Sequence, residues 1–309
     1  MTAGRFAPSP SGLMHLGNAR TALLAWLDAR ARGGGMLLRI EDLDRDRCRP
    51  EFTDAIRADL RWLGLDWDAE TPPQSTRDDA YRAAVERLDA AGRVYECYCT
   101  RRELAVASAP HGAADEPPAY RGTCRDLTEQ RRAQLRAEGR RPALRVRMPD
   151  QPPDVIDRVH GRVEGGGGGD VVVRRSDGLY AYHLAVVVDD AADGVTDVVR
   201  GDDLLSSTGR QVALAGMLGI TAPAYAHVPL VVDAEGVRLA KRHASRTLRA
   251  LRDAGVAPET LVGTMAASAG MGDGRPARPS ELVEGFDIAG VARTPWLPDE
   301  AALNEAGPV

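Results

Sequence analysis

Three places in this sequence hold residues whose types and spacing could do chemistry. The first is residues 5–18, Arg5-Phe6-Ala7-Pro8-Ser9-Pro10-Ser11-Gly12-Leu13-Met14-His15-Leu16-Gly17-Asn18. A short strand-like start meets two prolines, which fix φ and cannot extend a ladder, and then a serine and a glycine. From Leu16 the apolar residues Ala19, Leu23 and Leu27 recur at helical spacing until Gly33-Gly34-Gly35. His15 and Gly17 therefore fall in the first turn of a helix, where unpaired backbone donors and the positive end of the dipole suit an anion such as a phosphate. Gly17 lets a flat ligand approach the backbone, and a neutral imidazole at His15 can donate to a developing phosphoryl charge. The second place is Lys241, the single lysine among 40 basic residues. In a chain this rich in arginine, a surviving ammonium marks a site where a planar guanidinium does not serve; the alternative is a chance survivor. The third is Cys97, Cys99 and Cys124, three of the four cysteines within 28 residues. Thiolates so grouped predict a structural zinc site, against the alternative of three buried free thiols. By ligand preference His111 is the ordinary fourth ligand.

The motifs around these residues carry a resemblance. His15-Leu16-Gly17-Asn18 resembles the HIGH signature of class I aminoacyl-tRNA synthetases, and the residues flanking it resemble the glutamyl branch of that class. Tyr180-Ala181-Tyr182-His183-Leu184-Ala185-Val186-Val187-Val188-Asp189-Asp190 and Val199-Arg200-Gly201-Asp202-Asp203-Leu204-Leu205 resemble the same branch. Val237-Arg238-Leu239-Ala240-Lys241-Arg242 resembles the KMSKS signature and departs from it at Arg238, Ala240 and Arg242, keeping the ammonium but losing the small hydroxyl. The resemblance implies activation of L-glutamate by ATP with Mg²⁺. It implies that Arg5, Phe6, Ala7, Pro8, Ser9, Glu41, Tyr182 and Arg200 bind glutamate. Arg5 and Arg200 would clamp the side-chain carboxylate, Tyr182 would donate to it, and Glu41 would meet the amine. His15, Gly17, Asn18 and Lys241 would bind ATP, with His15 and Lys241 catalytic. For the zinc site it points to Tyr120 rather than His111 as the fourth ligand. The alternative for Arg200 is a surface pairing with Asp202 or Asp203.

Those residues need elements to hold them. The reading is α/β: a Rossmann-type class I synthetase catalytic domain with an inserted zinc-bearing α+β segment and a short helical C-terminal extension. Residues 1–94 form its first half, 95–170 the insert, 171–245 the second half with the KMSKS-like loop, and 246–309 the C-terminal region. Apolar or β-branched runs predict strands at 36–40, 144–147, 155–159, 171–174, 184–188, 196–199 and 227–232. Amphipathic spacing predicts helices at 51–63, 78–91, 129–138 and 211–218, with shorter ones at 258–267 and 279–286. Glu41 falls at the carboxyl end of a strand, where ligands of open α/β sheets sit; Asp42 and Asp44 read as structural. Cys48 reads as a lone thiol. The five glycines from 165 to 169 lack a following Lys-Ser or Lys-Thr and read as a polar, flexible loop tip. The arginines at 131, 132, 136, 140, 141, 145 and 147 are either solvated or track tRNA phosphates.

A chain of 309 residues suits about two domains on the usual ~100–200 residue scale. Its formal charge of -5 excludes a global basic footprint for nucleic acid, so RNA contacts must be local. Few cysteines, no signal peptide and no membrane-spanning apolar run point to a cytoplasmic protein without disulfides. No stable protein partner is evident. The resemblance fades near Arg252, before the helical anticodon-binding portion of a full glutamyl-tRNA synthetase. That shape resembles the truncated paralogues, the glutamyl-Q tRNA(Asp) synthetases, which transfer glutamate to queuosine at the wobble position of tRNA(Asp). Two other readings remain: a minimal glutamyl-tRNA synthetase charging the acceptor end of tRNA(Glu), and a non-catalytic tRNA-binding paralogue.

Overall fold

Strand β1 (Ala3–Phe6) buries Gly4, Arg5 and Phe6 and runs straight into the proline loop. The computed structural model describes residues 2–100, 103–104, 120, 122–166, 169–237 and 247–298. After the loop, helix α1 (Leu16–Ala31) is buried along Leu16, Ala19, Leu23 and Leu27, and also along Ala22, Leu24, Ala25 and Trp26, so it lies in the core rather than on it. Strand β2 (Gly35–Arg39) returns parallel to β1, with Arg5 opposite Leu37. Helix α2 (Pro50–Trp62) starts at a proline whose missing N–H costs nothing at a first helical position. Strand β3 (Ala69–Thr71) pairs parallel to β2, and helix α3 (Asp78–Ala90) buries Tyr81, Val85 and Leu88.

Strand β4 (Val94–Cys97), helix α4 (Glu129–Ala137) and strand β5 (Ala143–Val146) follow. Strand β6 (Val155–Asp157) and strand β7 (Gly161–Val163) form an antiparallel hairpin, and strand β8 (Val171–Arg174) comes next. Helix α5 (Tyr182–Ala192), strand β9 (Asp197–Gly201), helix α6 (Leu205–Met217) and strand β10 (Ala224–Val228) complete the sheet region. Helices α7 (Leu248–Asp253) and α8 (Pro258–Ser268) follow. The described residues form a seven-stranded sheet in the order β3-β2-β1-β9-β10-β6-β7, parallel except for β7, and a three-stranded antiparallel sheet β4-β5-β8. Leu261, Val262 and Met265 of α8 share one core with Phe6, Leu23 and Leu38.

Four expectations about elements change. Residues 184–188 are helix, not strand. Leu184, Ala185, Val186 and Val187 are all buried in α5, and a helix apolar on every side carries no 3.6-residue signature to tell it from a buried strand. Strand β8 forms, but against β5 in the small antiparallel sheet rather than as a buried parallel strand. The glycine run is not simply a loop tip. Gly165 is buried against α6, where a Cβ on Gly209 would come within 2.7 Å of the Gly165 carbonyl oxygen, so two glycines let two backbones touch. Strand β10 ends at Val228, and Val231 instead makes an isolated bridge to Trp296.

Candidate active site

At the carboxyl ends of β1, β2 and β9 lies a cleft of about 450 Å³. Arg5, Phe6, Ala7, Pro8 and Ser9 line it from the end of β1, and His15, Gly17 and Asn18 from the start of α1. Glu41 reaches it from just beyond β2, Tyr182 from the start of α5 and Arg200 from β9. The loop is fixed in place, since the Glu41 amide donates to the Pro8 carbonyl at 3.0 Å and the Leu248 amide to that of Met14 at 2.9 Å. Lys241 and His111 lie outside the described residues. The chain is described again at Thr247, which bridges to His15.

His15 caps α1 rather than lying inside it. Its Nδ1 accepts from the Gly17 amide at 3.2 Å, and Asn18 Oδ1 accepts from the His15 amide at 3.4 Å. One of the helix's early donors is thus taken by the imidazole itself, unlike the open set read from the sequence. Because Nδ1 accepts, the neutral ring carries its proton on Nε2. A Cβ at Gly17 would stand 3.1 Å from that ring, tighter than an ordinary contact, so a side chain there would press on the imidazole.

Behind the cleft is a buried charge network. Asp190 Oδ1 accepts from Arg5 Nε at 3.3 Å and from Arg39 Nη2 at 2.7 Å. Arg39, fully buried, also donates to Glu41 at 3.3 Å and to Asp193 at 3.1 Å. Burial alone would raise Asp190, but Arg5 and Arg39 overcome it and hold the carboxyl below its usual range. For Glu41 burial wins, and its carboxyl is pushed up despite Arg39 and Arg5. Asp189 accepts from Gln74 and from the Tyr81 hydroxyl, tying α5 to α3. Burial also raises the Tyr182 hydroxyl, which stays protonated as a donor.

Arg200 is buried and does not pair with Asp202 or Asp203; its Nε donates to His227 Nε2 at 3.0 Å and its Nη2 to Thr208 Oγ1 at 2.8 Å. Arg39, Asp190, His227 and Thr208 were not singled out from the sequence. The one available signal was a charge set in an apolar run, as Arg39 is between Leu38 and Ile40. Asp42 accepts from the amide and hydroxyl of Ser75, at 2.8 and 2.6 Å, and Asp44 pairs with Arg47, both structural. The arginines expected to be solvated or to track phosphates are largely engaged with acids: Arg131 with Glu138, Arg132 and Arg136 with Glu129, Arg140 with Glu103 and Arg147 with Asp126.

Away from the cleft, the Sγ atoms of Cys97, Cys99 and Cys124 lie within 4.8 Å of one another, and all three thiols are free. The Tyr120 hydroxyl is 3.6 Å from Cys97 Sγ, and Arg145 stacks over its ring with 3.9 Å from guanidinium carbon to centroid. Hydrogen bonding from Cys124 outweighs burial and draws the Cys97 thiol down, while its neighbours Cys99 and Cys124 are pushed up, so the cluster favours its first thiolate at Cys97. Three convergent sulfurs with a phenol oxygen beside them fit a metal ion of soft preference.

A mostly parallel sheet, a helix start at its carboxyl edge and two buried arginines lining the cleft make an α/β fold whose ligand-sized cleft lies at the strand ends. The model of the family tRNA synthetases class I (E and Q), catalytic domain, matches residues 2–292, and the chain belongs to that family. It is 53% identical over 308 residues to the glutamyl-Q tRNA(Asp) synthetase of Symbiobacterium thermophilum, covering 96% of this chain and 95% of that one. The glutamyl-Q tRNA(Asp) synthetase of Nocardia farcinica is 54% identical over 296 residues, covering 96% and 92%. Among solved structures, a glutamate tRNA ligase from Elizabethkingia meningosepticum in complex with its amino acid superposes with a TM-score of 0.81 at 28% identity, over 99% of this chain and 68% of that one. No helix among the described residues is long and apolar enough to cross a membrane.

Proposed function

We propose that this chain is a ligase that activates L-glutamate with ATP and transfers it to queuosine of tRNA(Asp). The observation that carries the reading is the meeting of Arg5, Glu41, Tyr182, Arg200 and the His15 helix start around one cleft, in a chain about half identical to enzymes of that name. Arg200, with Arg5 and the Tyr182 hydroxyl, takes the side-chain carboxylate. Glu41 takes the ammonium. The glutamate α-carboxylate then attacks the α-phosphorus of ATP, the bond to the bridging oxygen breaks and pyrophosphate leaves. His15 donates from Nε2 to a phosphate oxygen, and Gly17 keeps the backbone open to the nucleotide. Lys241 meets the departing phosphates, the role that the KMSKS-like motif implies for it. Mg²⁺ bound with ATP spreads phosphate charge. A hydroxyl of the queuosine cyclopentenediol attacks the adenylate carbonyl and AMP departs, leaving an ester.

Cys97, Cys99 and Cys124, with Tyr120, would hold one zinc ion, which would tie β4 to the turn before α4 as a structural rather than a reactive centre. The thiol-only cysteine set suits the cytoplasm. ATP–pyrophosphate exchange with each amino acid and no RNA, followed by labelling of purified tRNAs, tests the reading. Glutamate-dependent exchange and label on queuosine-containing tRNA(Asp) are expected. Label on tRNA(Glu) would make it an acceptor-end synthetase, and no exchange would make it a binding paralogue.

A further inference from the structure

Arg200 is held from behind by a row of side chains crossing three strands. His227 of β10 is the register partner of Arg200 in β9, and Asp157 closes the neighbouring β6. His227 Nδ1 lies 2.6 Å from Asp157 Oδ2, and both side chains are fully buried. The Arg200 Nε always carries its hydrogen and cannot accept, so at 3.0 Å the facing His227 Nε2 must be bare. The ring proton is therefore on Nδ1, donated to Asp157. Arg200 Nη2 donates to Thr208 Oγ1, whose single proton faces two acceptors, the Leu204 carbonyl at 3.1 Å and the bare His227 Nε2 at 3.0 Å. Nη1 is the Arg200 nitrogen left without a hydrogen bond among the described residues, although it is buried and Arg200 lines the cleft.

We propose that Asp157 and His227 are positioning residues for glutamate recognition: a neutral imidazole, locked as the Nδ1–H tautomer by Asp157, fixes the rotation of the Arg200 guanidinium so that Nη1 is presented to the substrate's side-chain carboxylate. The inference rests on the assignment of Arg200 to that carboxylate. A backing carboxylate that fixes an imidazole tautomer is a common device for fixing what the other nitrogen does. Here the other nitrogen steers a guanidinium. Protonating His227 would set N–H against N–H and add a positive charge beside Arg200, turning the fork out of register. The groups facing the ring are Asp157 on β6, Arg200 on β9, the Thr208 hydroxyl on α6, His160 in the β6–β7 turn and the Tyr225 ring, stacked at 6.0 Å. Burial, with Arg200 and His160, pulls the imidazole below its usual range against the Asp157 hydrogen bond, so it is neutral at pH 7.

The test is exchange kinetics from about pH 5.5 to about pH 8 for wild type, His227→Asn and His227→Gln. Asparagine reaches Asp157 but not Arg200, whereas the glutamine Oε1 can accept from Arg200 Nε. His227→Asn should raise the KM for glutamate at least ~10-fold, with kcat and the KM for ATP within about twofold. His227→Gln should recover most of the loss. The wild-type KM for glutamate should climb toward acid pH more steeply than that of His227→Gln, in which carboxyls such as Glu41 are left to titrate but the imidazole is not. An unchanged KM in His227→Asn, or equal damage in both variants that tracks a fall in melting temperature, would overturn the proposal. Nitrogen NMR of wild type with labelled histidine gives a readout independent of activity: His227 should show a bare Nε2 and a protonated Nδ1, and the reverse tautomer overturns the proposal even if neither variant folds. Wild type without glutamate-dependent exchange would instead refute the assigned function, while the tautomer result would still decide the hydrogen-bonded row.

Discussion

Arg5 and Arg39 donate to the same oxygen, Oδ1 of Asp190, from neighbouring strands at 3.3 and 2.7 Å. One carboxylate on α5 thereby sets where two guanidiniums stand, one in the cleft and one behind Glu41. Asp190→Ala leaves both charges buried and without that partner, which should cost about 3–5 kcal/mol of stability. Urea unfolding measures it. An exposed control such as Asp54→Ala should change by less than about 0.5 kcal/mol.

Arg200→Ala should lose glutamate-dependent exchange by at least ~10²-fold, on the order of 3 kcal/mol for a buried charge-assisted pair. Glutamine should be rejected by the wild type, because its amide presents donors to donors and leaves a buried charge unpaired. Exchange near the wild-type rate in Arg200→Ala would remove that residue from the site.

The sulfur cluster predicts about one zinc per purified chain. Cys99→Ser should lower the content, and so should Tyr120→Phe if the phenol oxygen 3.6 Å from Cys97 is a ligand. Zinc release by His111→Ala but not by Tyr120→Phe would assign the fourth position to the histidine.

Lys241→Arg keeps the charge of the only lysine in the chain. Single-turnover adenylate formation at saturating ATP should slow while glutamate affinity changes little, as expected for a contact made mainly in the transition state. The unfolding temperature should be nearly unchanged. An unaltered rate would mark Lys241 as an incidental charge.

Asp59 on α2 is buried, its Oδ2 has no hydrogen bond among the described residues and its Oδ1 lies 3.7 Å from Arg252, and burial pushes its carboxyl up to about 6. A carboxyl raised in the folded state binds its proton more tightly there than when unfolded. Its stabilising contribution is therefore complete below about pH 4 and lost as pH rises through about 6, a change of up to about 3 kcal/mol. Asp59→Asn should remove that slope, which thermal unfolding between about pH 4 and about pH 7 would show.

The residues legible in the sequence were those whose meaning is local. His15, Gly17 and the prolines around Ser9 lie within a few residues of one another, and a strand-to-helix turn brings them to the cleft unaided. Glu41 was legible because a strand end sits where ligands bind. Asp157, His227 and Arg200 were not legible as a unit, since a row across three strands exists only once the register does, and two members lie 70 residues apart. Periodicity failed at 184–188 for a related reason. Burial on every side is imposed by packing against β8, α3 and α6, and it erases the polar stripe that would have revealed a helix.

Strand β6 pairs parallel with β10 and belongs to the main sheet, although the chain on both sides of it builds the small antiparallel one. The stretch between β4 and β8 is therefore not a cassette that can be excised or traded between relatives by joining its ends. Such a deletion would strip the outer neighbour from β10, turning a covered strand into an open edge whose unpaired amides invite a second chain. A graft in this region must carry β6 in register, opposite Tyr225, or the product will be an aggregating sheet rather than a shortened enzyme.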